Sequence, residues 1–160
     1  MIIEIHKIDE DGSQYTGAEP VHLGDSGPGA SVWLDGPVAY ELNAQLAGQE
    51  LVVQGTLQAP LAYRCRRCAG KFSTILTISD FLCARQVPEG LERVDLTDDI
   101  REEVLLRLPN YPLCQPDCRG LCPQCGKNLN QGPCHCAARP VDGRWAGLND
   151  LKLPKSAGRK

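Results

Sequence analysis

Between Cys114 and Cys136 the chain reads CQPDCRGLCPQCGKNLNQGPCHC, and six of its nine cysteines fall within these 23 residues. Pro and Gly stand at the bends and almost no large apolar side chain separates the thiols, so this stretch is no hydrophobic core. It reads as a metal site. In Cys122-Pro123-Gln124-Cys125-Gly126 the two-residue spacing lets both thiolates approach one ion at about 2.3 Å, Pro123 presets φ in the tight turn, and Gly126 accepts the positive φ often needed at its exit. Four ligands are expected from the six thiols Cys114, Cys118, Cys122, Cys125, Cys134 and Cys136, with Cys122 and Cys125 the firmest; spacing leaves the other two open. An all-sulfur set favours closed, tetrahedral Zn(II), with an iron centre as the alternative. His135 could replace one of the thiols.

A second pair sits in Cys65-Arg66-Arg67-Cys68-Ala69-Gly70. It is either a spare pair or half of a second metal site. With Cys83 set aside as a small core residue, the remaining eight cysteines fill two four-thiolate sites if Cys65 and Cys68 meet the two left over from the distal cluster. His6 and His22 lie far from the thiols in sequence and read as exposed strand or loop residues.

Other chemistries find little support. Hydrolytic zinc needs an open coordination position, which an excess of thiolates closes. Neither a phosphate-cradling Gly-rich loop nor a nucleophile elbow is present. Glu102 and Glu103, adjacent on a helix, point to different sides. No catalytic residue and no small-molecule substrate are expected. The alternative is a thiol redox protein using Cys65 and Cys68 or Cys122 and Cys125, although no βαβ pattern precedes either pair.

Length and composition bound the rest. The chain has 160 residues, 42% of them hydrophobic, enough for one ordinary domain and a small appendage. The start, MIIEIHKIDEDG, is acidic with too short an apolar run for a signal peptide, and no segment approaches the roughly 18 apolar residues of a membrane span. A cytoplasmic, reducing location is therefore expected, which with the odd cysteine count favours free or metal-bound thiols over disulfides. The net charge of −3 conceals an asymmetry: residues 1–60 hold nine acids against one lysine, whereas residues 61–85 hold five basic residues against one acid. Residues 113–160 hold eight basic residues against three acids. Both basic segments carry C-x-x-C pairs, which raises contact with a phosphate backbone as one reading.

These thiols need a scaffold. Ile2–Ile8 suggests an opening strand, and residues 9–30 a long connection with one extended piece near Val21. Val38 to Leu46 and Leu51 to Leu57 alternate with the period of half-buried strands, and Gly55 marks a bulge or a close backbone approach. The alternation continues through Leu61, Tyr63 and Cys65 into the C-x-x-C at a hairpin tip, and Phe72 to Cys83 returns as a strand. After a loop over residues 86–96, IREEVLLRL forms the one clear helix, at about 98–108, with Thr97 or Asp98 as N-cap and Pro109 as its stop. The expectation is an α+β chain. Residues 1–112 would form a mainly antiparallel sheet, or a partly closed barrel, covered by that helix. Residues 113–151 would form a zinc-binding module with a short terminal helix on Trp145, Leu148 and Leu151, and residues 152–160 a basic tail.

The ordered series CRRC, DDIREEVLLRLPNYPLC, CRGLCPQCGKNLN, CHC and RWAGLNDL resembles the YceD-like family, the large ribosomal RNA subunit accumulation proteins, over about residues 50 to 151. The resemblance implies a non-enzymatic ribosome biogenesis factor needed for accumulation of large-subunit rRNA, contacting that rRNA or a ribosomal protein. It also implies that the CRRC-like pair, here Cys65 and Cys68, is common among members, and that the distal cysteines stabilise those that carry them. The chain departs from the pattern at Val141-Asp142-Gly143-Arg144-Trp145, where Asp-Pro-Arg-Trp is more usual; Gly143 loosens that turn. On this reading Arg64, Arg66, Arg67, Lys71, Arg119 and Lys127 form a basic, knuckle-braced surface for phosphates.

Overall fold

The computed structural model describes residues 1–24 and 31–137. Its elements run β1 (Ile2–Glu4), β2 (Ser13–Glu19), β3 (Val32–Leu34), β4 (Val38–Ala47), β5 (Glu50–Arg64), β6 (Lys71–Gln86), β7 (Arg93–Asp95) and α1 (Thr97–Leu106). The period-two alternation from Val38 onward dictates the centre of the fold, a meander of β4, β5 and β6 in which Ala44 faces Val53 and Val53 faces Cys83. β2 extends the sheet beyond β4, and β3 pairs the far half of β5 on the edge opposite β6. All pairings are antiparallel.

The sheet stays open. β2 and β6 do not pair with each other, so the partly closed barrel is not formed, and β1 with β7 makes a separate two-stranded sheet. One face of the large sheet supplies the core: Leu42, Ala44, Leu51, Val53, Leu57, Ala59 and Leu61 are buried together with Ile3, Leu96, Ile100 and Val104. Each of the Leu, Ile and Val side chains contributes about 1.5–3 kcal/mol when fully removed from water. Ile100 and Val104 recur at four-residue spacing, so α1 lays that face on the core.

Local signals explain where the elements depart from expectation. β2 lies in the stretch read as connection because Ser13-Gln14-Tyr15-Thr16-Gly17-Ala18-Glu19 has no apolar alternation. It is an edge strand, and Gly17 leaves room for Tyr40, whose hydroxyl stands only 2.6 Å from where a Cβ would lie. The opening strand is shorter than its apolar run, since Ile5–Lys7 turns as a 3-10 helix, and β7 occupies part of the expected loop as the partner of β1. α1 begins one residue early. Its cap position is Leu96, and the capping is done by Asp95, whose Oδ1 accepts from the Thr97 N–H at 2.9 Å and the Thr97 hydroxyl at 2.6 Å. Arg107, just past α1, donates to Asp80 on β6 and to Glu103, both at 2.9 Å. The short helix expected near Trp145 and the basic tail lie outside the described residues.

Candidate metal centres

Two short loops of the same design hold the C-x-x-C pairs. In the first, at the tip of the β5–β6 hairpin, the Cys65 N–H donates to Gly70 O at 2.8 Å and the Ala69 N–H returns to Cys65 O at 2.9 Å. In the second, the Cys122 N–H donates to Lys127 O at 2.8 Å and the Gly126 N–H to Cys122 O at 2.9 Å. The fifth residue of each loop is left-handed, with φ of 55° at Ala69 and 73° at Gly126. Glycine suits that position and alanine does not. We expect Ala69→Gly to raise stability by about 0.5–1 kcal/mol and Gly126→Ala to lower it by about 1 kcal/mol, as read from thermal unfolding of the metal-loaded chain; equal signs for the two would contradict the shared geometry.

Folding brings the sulfurs together in two fours. Cys65, Cys68, Cys114 and Cys118 form a proximal set, and Cys122, Cys125, Cys134 and Cys136 a distal set; within each, all sulfurs lie within 4.8 Å of one another. Of the distal six, Cys134 and Cys136 stand with Cys122 and Cys125, while the two left over, Cys114 and Cys118, join Cys65 and Cys68 at the hairpin tip. Measured edges are 3.8 Å for Cys65–Cys118, 3.7 Å for Cys68–Cys114 and 3.4 Å for Cys122–Cys134. A tetrahedral ion with metal–sulfur bonds of about 2.3 Å requires edges of about 3.8 Å, so each set could hold a metal ion. His135 is in neither set, and Cys83, half-buried against the core, stands apart.

Acidity within the sets follows from crowding. Burial opposes ionisation of Cys65, yet backbone hydrogen bonds at Cys68, Cys114 and Arg67 bring it down to about 6. Burial and then the neighbouring thiols push Cys114 up to about 12. Backbone N–H groups of Cys125 and Gln124 bring Cys122 down to about 6, whereas Cys125, then burial, push Cys136 up to about 12. Without a cation, thiolates this close repel, and the last members of each set keep their protons. A divalent ion at the centre reverses that order by giving every thiolate an opposite charge.

The two sets differ in support. Cys65, Cys68 and Cys118 are buried and pack with Phe72 and Leu113, and Phe72 also touches the main core and stacks on Tyr63 at 5.6 Å between ring centroids. Cys125 and Cys136 are exposed. The sets are joined through Gly120, whose φ of 76° lets the chain pass Arg67, so that the Leu121 N–H donates to Arg67 O at 3.1 Å. A Cβ on Gly120 would stand 3.0 Å from that oxygen. Asn130, which the sequence did not single out, donates to Cys118 Sγ at 3.3 Å and accepts from the Arg119 N–H at 2.8 Å. Such contacts orient thiolate ligands.

The six basic residues read as a phosphate surface divide. Arg64, Arg66, Lys71 and Arg119 are exposed around the hairpin tip. Arg67 and Lys127 are exposed too, but each is tied to a carbonyl: Arg67 donates to Cys118 O at 3.0 Å, and Lys127 donates to Pro133 O at 2.8 Å within the distal loop. No helix among the described residues is long and apolar enough to cross a membrane.

Comparison with known sequences bears on what these centres serve. Residues 83–152 match the profile of a family described as large ribosomal RNA subunit accumulation protein YceD, a match that begins after the CRRC tip. An uncharacterized protein of Mycobacterium tuberculosis is 34% identical over 130 residues, covering 72% of this chain, and one of Mycobacterium leprae is 29% identical over 134 residues. The chain spans 62% of the length of the Mycobacterium tuberculosis relative. The large ribosomal RNA subunit accumulation protein YCED homolog 1, chloroplastic, of Arabidopsis thaliana is 31% identical over 65 residues, which is 41% of this chain and 20% of that protein. No solved structure matches. Over residues 83–152, the chain is similar to the YceD family.

Proposed function

We propose that this chain is a non-enzymatic ribosome biogenesis factor that supports accumulation of large-subunit rRNA by contacting that RNA, and that Zn(II) in both four-sulfur sets braces the contacting surface. The reading also takes the protein to act in the cytoplasm. The observation that carries it is the gathering of exposed Arg64, Arg66, Lys71 and Arg119 around a hairpin tip whose Cys65 and Cys68 belong to the proximal sulfur set. A ribosomal RNA role is what the names of the family and of the plant relatives state for those proteins. A dithiol oxidoreductase needs a pair that opens and closes, whereas these sulfurs stand in fours at spacings near tetrahedral edges.

The test is binding of the zinc-loaded chain to large-subunit rRNA fragments across a salt series. Reversing Arg64 and Arg66 to Glu is expected to weaken binding and to flatten the slope of log affinity against log salt by about 0.7 to 0.9 per lost phosphate contact. Unchanged affinity and slope would remove this surface from the account.

A further inference from the structure

Trp33 has no part in the sulfur sets or the core packing described so far, and its position is unusual for an indole. It lies on β3 opposite Ala62 of β5, on the sheet face away from the core. Arg64 lies two residues further along β5 on the same face, and Lys71 is its partner across the β5–β6 pair. The Lys71 ammonium sits over the Trp33 ring, 5.3 Å from its centroid. The indole also walls a shallow cleft with Val21, His22, Gly36 and Pro37. A partly exposed aromatic ring, a cation over it, a second cation alongside and an open slot are what an unpaired nucleotide requires: a π-face to stack on and charge for the adjoining phosphates. Asp35, which accepts from the Ser73 hydroxyl at 3.1 Å, puts a negative charge further along this face and so confines the phosphate path to the hairpin tip, where Arg66 is exposed.

We propose that Trp33 is a stacking platform for an unpaired base of single-stranded RNA, with Arg64, Arg66 and Lys71 taking the flanking phosphates. This rests on the RNA-contact reading above and names the feature of the RNA that is recognised: a single-stranded segment, held with little preference for sequence because every base offers a π-face.

The chain has two tryptophans, so Trp145→Phe leaves Trp33 as the only indole fluorophore. In that background, titration of the zinc-loaded full chain with a short single-stranded oligoribonucleotide of mixed sequence is expected to quench Trp33 fluorescence at saturation. Trp33→Ala should weaken binding about tenfold or more with the salt slope unchanged, and Trp33→Phe should retain most of the affinity. The quenching readout needs no change at Trp33 and so is independent of whether the alanine variant folds. Binding without quenching, together with an unaffected Trp33→Ala, overturns the platform and leaves the RNA-contact reading standing. Absence of RNA binding by the parent, or binding of a basic polypeptide in its place, overturns both.

Discussion

On the two-zinc proposal, treating the purified chain with a strong chelator is expected to release two metal equivalents and to unravel the segment after Pro109, while the sheet and α1 remain folded. The reason is the distribution of apolar burial. The main core ends with Val104 and the neighbouring Leu108, and beyond them the fully described segment buries chiefly its own cysteines, Cys118 and Cys122. Beyond Leu113 and a few hydrogen bonds, little in that segment offsets the entropy of ordering it, which runs to about 1–2 kcal/mol per residue for the backbone alone. Structural zinc supplies binding free energy on the order of 10–16 kcal/mol in small thiolate modules, enough to decide the matter. Release should come in two steps, distal before proximal, because Cys125 and Cys136 are exposed whereas Cys65, Cys68 and Cys118 are buried. A metal indicator gives the stoichiometry, and amide exchange gives the extent of unfolding. One equivalent per chain, or unchanged protection of Cys122–Lys127, would overturn the two-centre account.

The second large effect lies far from the sulfurs. Gly55→Ala should destabilise the protein by about 3 kcal/mol or more, lowering the unfolding midpoint by roughly 10 °C for a chain of this size. A Cβ at Gly55 would stand 2.1 Å from Glu41 O and 2.9 Å from Leu42 Cα, both backbone atoms of the neighbouring strand β4. They cannot rotate aside as a side chain would, and β4 is fixed by nine register positions against β5. Gly55 also stands where the β5–β6 register shifts, since the step from Gly55 to Leu57 on β5 matches the longer step from Phe81 to Ile78 on β6. Phe81 and Leu42, its register partners on the two sides, are buried, so the clash would open the core. Gly48→Ala is the control. Its φ is 66° but nothing lies within 4 Å of the added Cβ, so it should cost only about 1 kcal/mol. Equal losses for the two variants would mean that backbone preference, and not the close approach of β4, fixes glycine at position 55.

Much of this was readable from residue patterns, and the exceptions have physical causes. Alternation from Val38 onward predicts β4, β5 and β6, and Gly55 signals a bulge or close approach because a bare backbone inside a strand has few other uses. The helix was evident from its four-residue apolar spacing and Pro109. β2 and β7 escaped because edge strands paired through backbone groups need no apolar alternation of their own. The open sheet could not be told from a partly closed barrel because alternation fixes faces and says nothing about whether the outer strands meet. Counting offers two fours among eight sulfurs as one of two readings, the other being a spare pair at the tip, and which thiols share a set depends on the hairpin tip reaching residues 114–118, a tertiary fact. Arg67 and Lys127 are exposed charges that also hold carbonyl groups, a role invisible without the loops around them.

One consequence of the proximal set concerns timing. Its sulfurs come from positions 53 and 46 residues apart, whereas Cys122 and Cys134 of the distal set are only 12 apart. During synthesis the hairpin tip therefore emerges with two thiols and no partners, and about 50 further residues must be added before Cys114 and Cys118 arrive, roughly 3 to 10 seconds at ordinary elongation rates. The distal set needs no such wait. The basic tip thus matures well after its own residues are made, once Cys114 and Cys118 have followed it out of the ribosome.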